Sequence, residues 1–129
     1  MKKLFVLAVA LLLIGVAPSF AQQGKSAAIA VAANGNSASA AVGGQLGRSA
    51  FFLLFDANGT FLSAEGNPYK DSGNAGIPAL DLLAGKGVKI VVAEGFGGRI
   101  ADVIKEKGMR AVEFKGSAQD AAKKAAQAK

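Results

Sequence analysis

Val88-Lys89-Ile90-Val91-Val92-Ala93-Glu94-Gly95-Phe96-Gly97-Gly98-Arg99-Ile100 joins a strand to a helix through a glycine turn. From Val88 to Ala93 only Lys89 interrupts the apolar run, the pattern of a strand covered on both faces. Past the turn, Ile100, Val103 and Ile104 recur at helical spacing. Lys105 and Lys107 suit the last turn, and Gly108 marks the stop. A strand feeding a helix in this way belongs to a β–α unit, which favours a partly parallel sheet with helices on its faces.

The same logic extends outward. Upstream, Ile77, Leu80, Leu83 and Ala84 define a helical face, Pro78 suits the first turn, and Gly85 and Gly87 end it. Downstream, Arg110–Phe114 reads as a short strand. Ser117-Ala118-Gln119-Asp120 then resembles a capping box that opens an Ala/Lys-rich helix fraying toward Lys129, with Lys123 and Lys124 on its solvated side. Before these lie two runs, Phe51–Asp56 and Thr60–Glu65, joined by Ala57-Asn58-Gly59 as a β-hairpin. A first strand spans Ala27–Ala33 and stops at Asn34-Gly35. The hairpin forces one antiparallel strand, so the fold class is α/β with a mixed sheet. Phe51, Phe52, Phe55, Phe61 and Phe114 are expected in the core.

Composition removes much chemistry. The chain has 129 residues, 51% of them hydrophobic, with 15 Lys+Arg against 9 Asp+Glu, and it contains no Cys, His or Trp. That length fits one domain. Thiolate and imidazole metal ligands, disulfides and Ser-His or Cys-His nucleophiles are all excluded. At the start, Lys2 and Lys3 precede the apolar run Leu4–Val16 and the small-residue site Pro18-Ser19-Phe20-Ala21. Residues 1–21 therefore read as a cleaved signal peptide, leaving 22–129 as a single domain, periplasmic or secreted. The run is shorter than the ~20 residues a membrane span needs, so no stable span is expected after cleavage. Loss of two lysines leaves a mild positive charge, and no nucleic-acid partner is expected.

Three irregular glycine-rich segments, 34–49, 67–76 and 94–99, follow the first, third and fourth strands. If those strands run parallel, the segments share the rim where open α/β sheets bind ligands. The chemistry they suit is anion capture. Successive backbone N–H groups can form a nest, helix starts add positive potential, and Arg48 and Arg99 supply guanidinium donors. The candidate ligand-binding residues are Gly44, Gln45, Gly47, Arg48, Asn67, Gly73, Asn74, Gly76, Glu94, Gly97, Gly98 and Arg99. Phe96, inside a glycine turn, is placed to cover a ligand. Neither the segment before Arg48 nor Gly95–Gly98 has the spacing of a nucleotide motif. Asp56, Glu65 and Glu94 end different strands and do not converge as two-metal hydrolysis requires. No catalytic residue and no side-chain metal site is assigned, and the chain is expected not to be an enzyme.

Gly43-Gly44-Gln45-Leu46-Gly47-Arg48-Ser49-Ala50-Phe51-Phe52-Leu53-Leu54-Phe55-Asp56 resembles the His-Phe-Gly-Arg segment and following strand of the dinitrogenase iron–molybdenum cofactor biosynthesis family. Asn67, Gly73-Asn74-Ala75-Gly76 and the stretch from Leu82-Leu83 to Gly87-Val88 resemble its helix start and strand entry. Val91–Gly98 and Gly108–Val112 resemble its next strand and its last. The likeness spans residues 27–126. It implies a ribonuclease H-like three-layer α/β/α fold with a five-stranded mixed sheet. It also implies handling of metal–sulfur clusters, molybdenum-containing ones among them. Here Gln45 stands at the family's His and Leu46 at its Phe. Two readings remain open. One is an exported, non-enzymatic carrier of an anionic metal–sulfur (Mo, Fe or Cu) cluster or oxyanion, held without Cys or His ligation and passed to a protein acceptor. The other is a metal-free protein-interaction module that keeps the fold without the ligand.

Overall fold

The computed structural model describes residues 26–73 and 75–127. The expected signal peptide and Asn74 lie outside the described residues. The strands are β1 (Ile29–Ala33), β2 (Phe51–Phe55), β3 (Phe61–Gly66), β4 (Ile90–Ala93) and β5 (Arg110–Glu113). The helices are α1 (Gly76–Gly85), α2 (Gly98–Glu106) and α3 (Ala118–Gln127). The five strands form one sheet in the order β3-β2-β1-β4-β5. β1, β4 and β5 are parallel, and β2 runs antiparallel to both β1 and β3. The mixed sheet with one reversed strand is therefore present as expected.

The two-residue period of the strands sorts their side chains into two cores. Ala30, Ala32, Phe52, Leu54, Val91 and Ala93 face one side, where Ala79, Leu80 and Leu83 of α1 and Ile104 of α2 cover them. Ile29, Val31, Leu53, Phe55 and Val92 face the other side, under Ala118, Ala121, Ala122 and Ala125 of α3. That makes three layers, α/β/α. Alanine at positions 118, 121, 122 and 125 recurs at helical spacing, and each is fully buried.

The hairpin turn follows its sequence. Asp56 Oδ1 accepts the N–H groups of Asn58 and Thr60, each at 2.9 Å, and Gly59 takes φ +87°, where a side chain would be strained. A register shift between Leu54 and Phe55 sets Phe61 opposite Phe55, on the same face of the sheet. Phe61 is nevertheless not a core residue, because β3 is the edge strand and leaves one side of the ring in solvent. It is 37% exposed at the sheet edge and meets the Phe55 ring edge-on at 5.6 Å. The first strand begins at Ile29 rather than Ala27, although Ala28 already bonds to both sides, its N–H donating to the Phe55 carbonyl and its carbonyl accepting from Lys89 and Ile90. No helix of the described residues is long and apolar enough to cross a membrane.

Candidate functional site

The parallel direction of β1, β3 and β4 carries the segments after them to one edge of the sheet. The first and third are joined there. Gln45 and Gly95 form a parallel bridge, and the Glu94 N–H donates to the Gly43 carbonyl at 2.9 Å. The connections leaving β1 and β4 depart in different directions, toward β2 and toward α2, and such a divergence opens a crevice.

A cleft of about 230 Å³ occupies that crevice. Its wall from the first segment is Gln45, Leu46, Gly47 and Arg48. Gly73, Ala75 and Gly76 close a second side, Gly95, Phe96 and Gly97 a third, and Arg99 and Ile100 complete it. Of the sequence candidates, Gln45, Gly47, Arg48, Gly73, Gly76, Gly97 and Arg99 meet here. Gly44, Asn67, Glu94 and Gly98 do not line the cleft. Leu46, Ala75, Gly95 and Ile100 line it without having been singled out. Ile100 reads in sequence only as part of a helical face, and Leu46 only as an apolar residue among glycines. Phe96 is half-buried, packed against the apolar core, and lines the cleft as part of its wall.

Gly47 makes the cleft narrow. A Cβ there would stand 2.5 Å from the Gly76 nitrogen and 2.7 Å from the Ala75 carbonyl carbon, so the loop lies directly on the start of α1. Behind it, Asn67 is buried with every polar atom engaged. Its Nδ2 donates to the Gly47 and Ser49 carbonyls at 2.8 and 2.9 Å, and its Oδ1 accepts the Tyr69 N–H at 2.9 Å. Ser49 Oγ donates to the Gln45 carbonyl at 2.7 Å.

The charge of the cleft is one-sided. Arg48 and Arg99, both exposed, are its charged lining residues, and no carboxylate is among the described ones. Arg48 Nη1 donates to the Lys70 carbonyl at 3.1 Å, which holds the guanidinium along the rim. Both α1 and α2 start at the cleft with no side-chain cap and no acidic residue in the first turn. The N–H groups of Gly76 and Ile77, and of Gly98, Arg99 and Ile100, have no acceptor among the described residues. Such donors favour an anion.

Carboxylate chemistry is not assembled. Asp56 is committed to the hairpin turn, Glu65 pairs with Lys86 at 2.9 Å, and Glu94 is exposed beside Gly44. Among the described residues no group of three His, Cys, Asp or Glu could hold a metal ion.

A family model described as dinitrogenase iron-molybdenum cofactor matches residues 25–128. Several solved structures resemble the fold, two of them informative here. One is a candidate NifB protein from Thermotoga, 22% identical, covering 79% of this chain and 89% of its own, at a TM-score of 0.66. The other is the apo form of the orange protein from Desulfovibrio gigas, 23% identical, covering 78% of this chain and 85% of its own, at 0.67. At these identities the likeness is one of fold. No curated protein matches the chain.

Proposed function

The chain belongs to the dinitrogenase iron-molybdenum cofactor family, and we propose that it is an exported, non-enzymatic carrier of an anionic metal–sulfur or molybdenum-type species. The observation that carries this reading is the cleft. Two uncapped helix starts and two arginines converge on it, and no carboxylate is among its described lining residues. The fit to a preassembled anion is chemical. N–H and guanidinium groups donate to sulfide or oxide atoms on the outside of the cargo, and among the described residues no cluster of His, Cys, Asp or Glu is placed to ligate a bare metal ion. The cargo would keep its own coordination and be gripped by charge and hydrogen bonds. A protein acceptor would then take it by exchange. The export half of the proposal rests on the leader sequence, Lys2 to Ala21.

A second reading, a ligand-free interaction module, is favoured by Gln45 at the position where the family carries His. Elemental analysis and a visible spectrum of protein isolated anaerobically from its native compartment separate the two. Stoichiometric molybdenum, iron or copper with charge-transfer bands is the expected result. Colourless, metal-free protein that also fails to take up tetrathiomolybdate would overturn the carrier reading. N-terminal sequencing of the same sample, expected to begin at Gln22, tests export.

A further inference from the structure

Asn67 stands behind the cleft wall, yet its carboxamide is the point at which two of the three cleft segments are tied together. It follows β3, is 6% exposed, and donates both amide hydrogens into the first segment, to the carbonyls of Gly47 and Ser49. Its oxygen takes the Tyr69 N–H, which closes a turn in its own segment. Its own N–H goes to the Ala50 carbonyl at 3.0 Å. The turn continued by Ser72 N–H to the Tyr69 carbonyl then presents the Lys70 carbonyl, and that carbonyl receives Arg48. One buried side chain thus fixes three things: the carbonyl direction of Gly47, the carbonyl direction of Ser49, and the turn on which the Arg48 guanidinium rests.

We infer that Asn67 is a positioning residue for the cleft: it sets the shape of the Gln45–Ser49 wall and the reach of Arg48, so that ligand affinity depends on a side chain the ligand never touches. The inference rests on the anion reading of the cleft given above. Its chemistry is particular to a carboxamide. Two carbonyl oxygens need two donors from one planar group, while the Tyr69 N–H needs an acceptor on the same group. A carboxylate of the same shape keeps the acceptor and loses both donors, leaving oxygen facing oxygen in a buried place. Turning the two carbonyls onto Asn67 also keeps them from competing for the donors at the cleft.

The test is Asn67→Asp in the full chain, read by backbone amide relaxation and by titration with tetrathiomolybdate at neutral pH. The expected result is a wall that loosens alone. Order parameters at Gly47–Ser49 should fall below about 0.6 while β1 and β4 stay near 0.85. Affinity should fall about ten-fold or more, the loss expected from the hydrogen bonds removed. Arg48→Ala added to Asn67→Asp should then cost less than Arg48→Ala alone, because its anchor is already gone. If Asn67→Asp does not fold, Asn67→Ser, which restores one donor, should give an intermediate affinity and an intermediate loosening. Unchanged order and affinity, or additive effects of the two substitutions, would overturn the assignment. A wall that loosens in the variant while the wild type takes up no tetrathiomolybdate would overturn the anion reading instead. Asn67 would then hold the shape of the rim for some other purpose.

Discussion

The start of α3 and the starts of α1 and α2 each have a glycine within two residues, and they are built in opposite ways. At α3 the Ala118 and Gln119 N–H groups donate to the Ala40 and Ala38 carbonyls, each at 2.8 Å, and Asp120 N–H donates to Ser117 Oγ at 3.1 Å. Asp120 adds a negative charge to that first turn. Nothing there is left to offer a ligand. At α1 and α2 the corresponding donors find no acceptor among the described residues, no acidic residue stands in the first turn, and the cleft lies in front of them. One molecule therefore contains both a filled and an open helix start. The lesson is that a glycine-rich helix entry signals binding only where its donors are left over.

That contrast can be broken in graded steps. The largest effect is expected from Gly47→Ala, which drives a methyl group into the backbone at the start of α1. Overpacking of this kind costs about 1–3 kcal/mol, and denaturant unfolding should show it together with weaker tetrathiomolybdate binding. Arg48→Ala and Arg99→Ala come next. Each should weaken binding up to about ten-fold while the melting temperature barely moves, since surface substitutions usually stay within about 0.5 kcal/mol. A large stability loss with unchanged binding would place either arginine in a structural network instead. Ser117→Ala removes the cap of the filled start. It should cost about 1 kcal/mol and leave binding untouched. The smallest change is Gly98→Asp, where a Cβ meets nothing within 4 Å. It gives α2 the acidic first turn that α3 already has, which should stabilise the protein by about 0.3–1 kcal/mol and weaken anion binding. Binding that survives Gly98→Asp unchanged would mean that the open donors of α2 take no part.

Much of the fold was legible because period and punctuation agreed. The run Val88–Ala93, apolar apart from Lys89, supplied the interior strand Ile90–Ala93, and Asn58-Gly59 became the turn. The face of α3 was harder to see. Alanines at 118, 121, 122 and 125 keep helical spacing, but alanine carries too little apolar surface to separate a buried stripe from a plain helix former. Phe61 was misplaced because an apolar run does not reveal that its strand lies at the sheet edge, where one side of the ring meets solvent. The cleft itself was half legible. Glycines and arginines announced the rim, whereas Leu46 and Ile100 entered it through tertiary proximity alone. Asn67 was visible as a polar residue near the rim. That both its hydrogens point away from the cleft is a matter of three-dimensional geometry, which spacing does not encode.

The segment between β1 and β2 has two tenants. Its first half gives the Ala38 and Ala40 carbonyls to the start of α3 on the back of the sheet, and its second half becomes the cleft wall from Gln45 to Arg48 on the front rim. The four fully buried alanines let α3 lie close to the strands, so the thickness of the rear layer governs how far this connection is drawn backward. A bulkier side chain beneath α3 would lift the helix and pull on the same length of backbone that shapes the cleft. The two sides of the sheet are mechanically linked through one loop, and drift in the rear packing would be felt as a change in grip at the front.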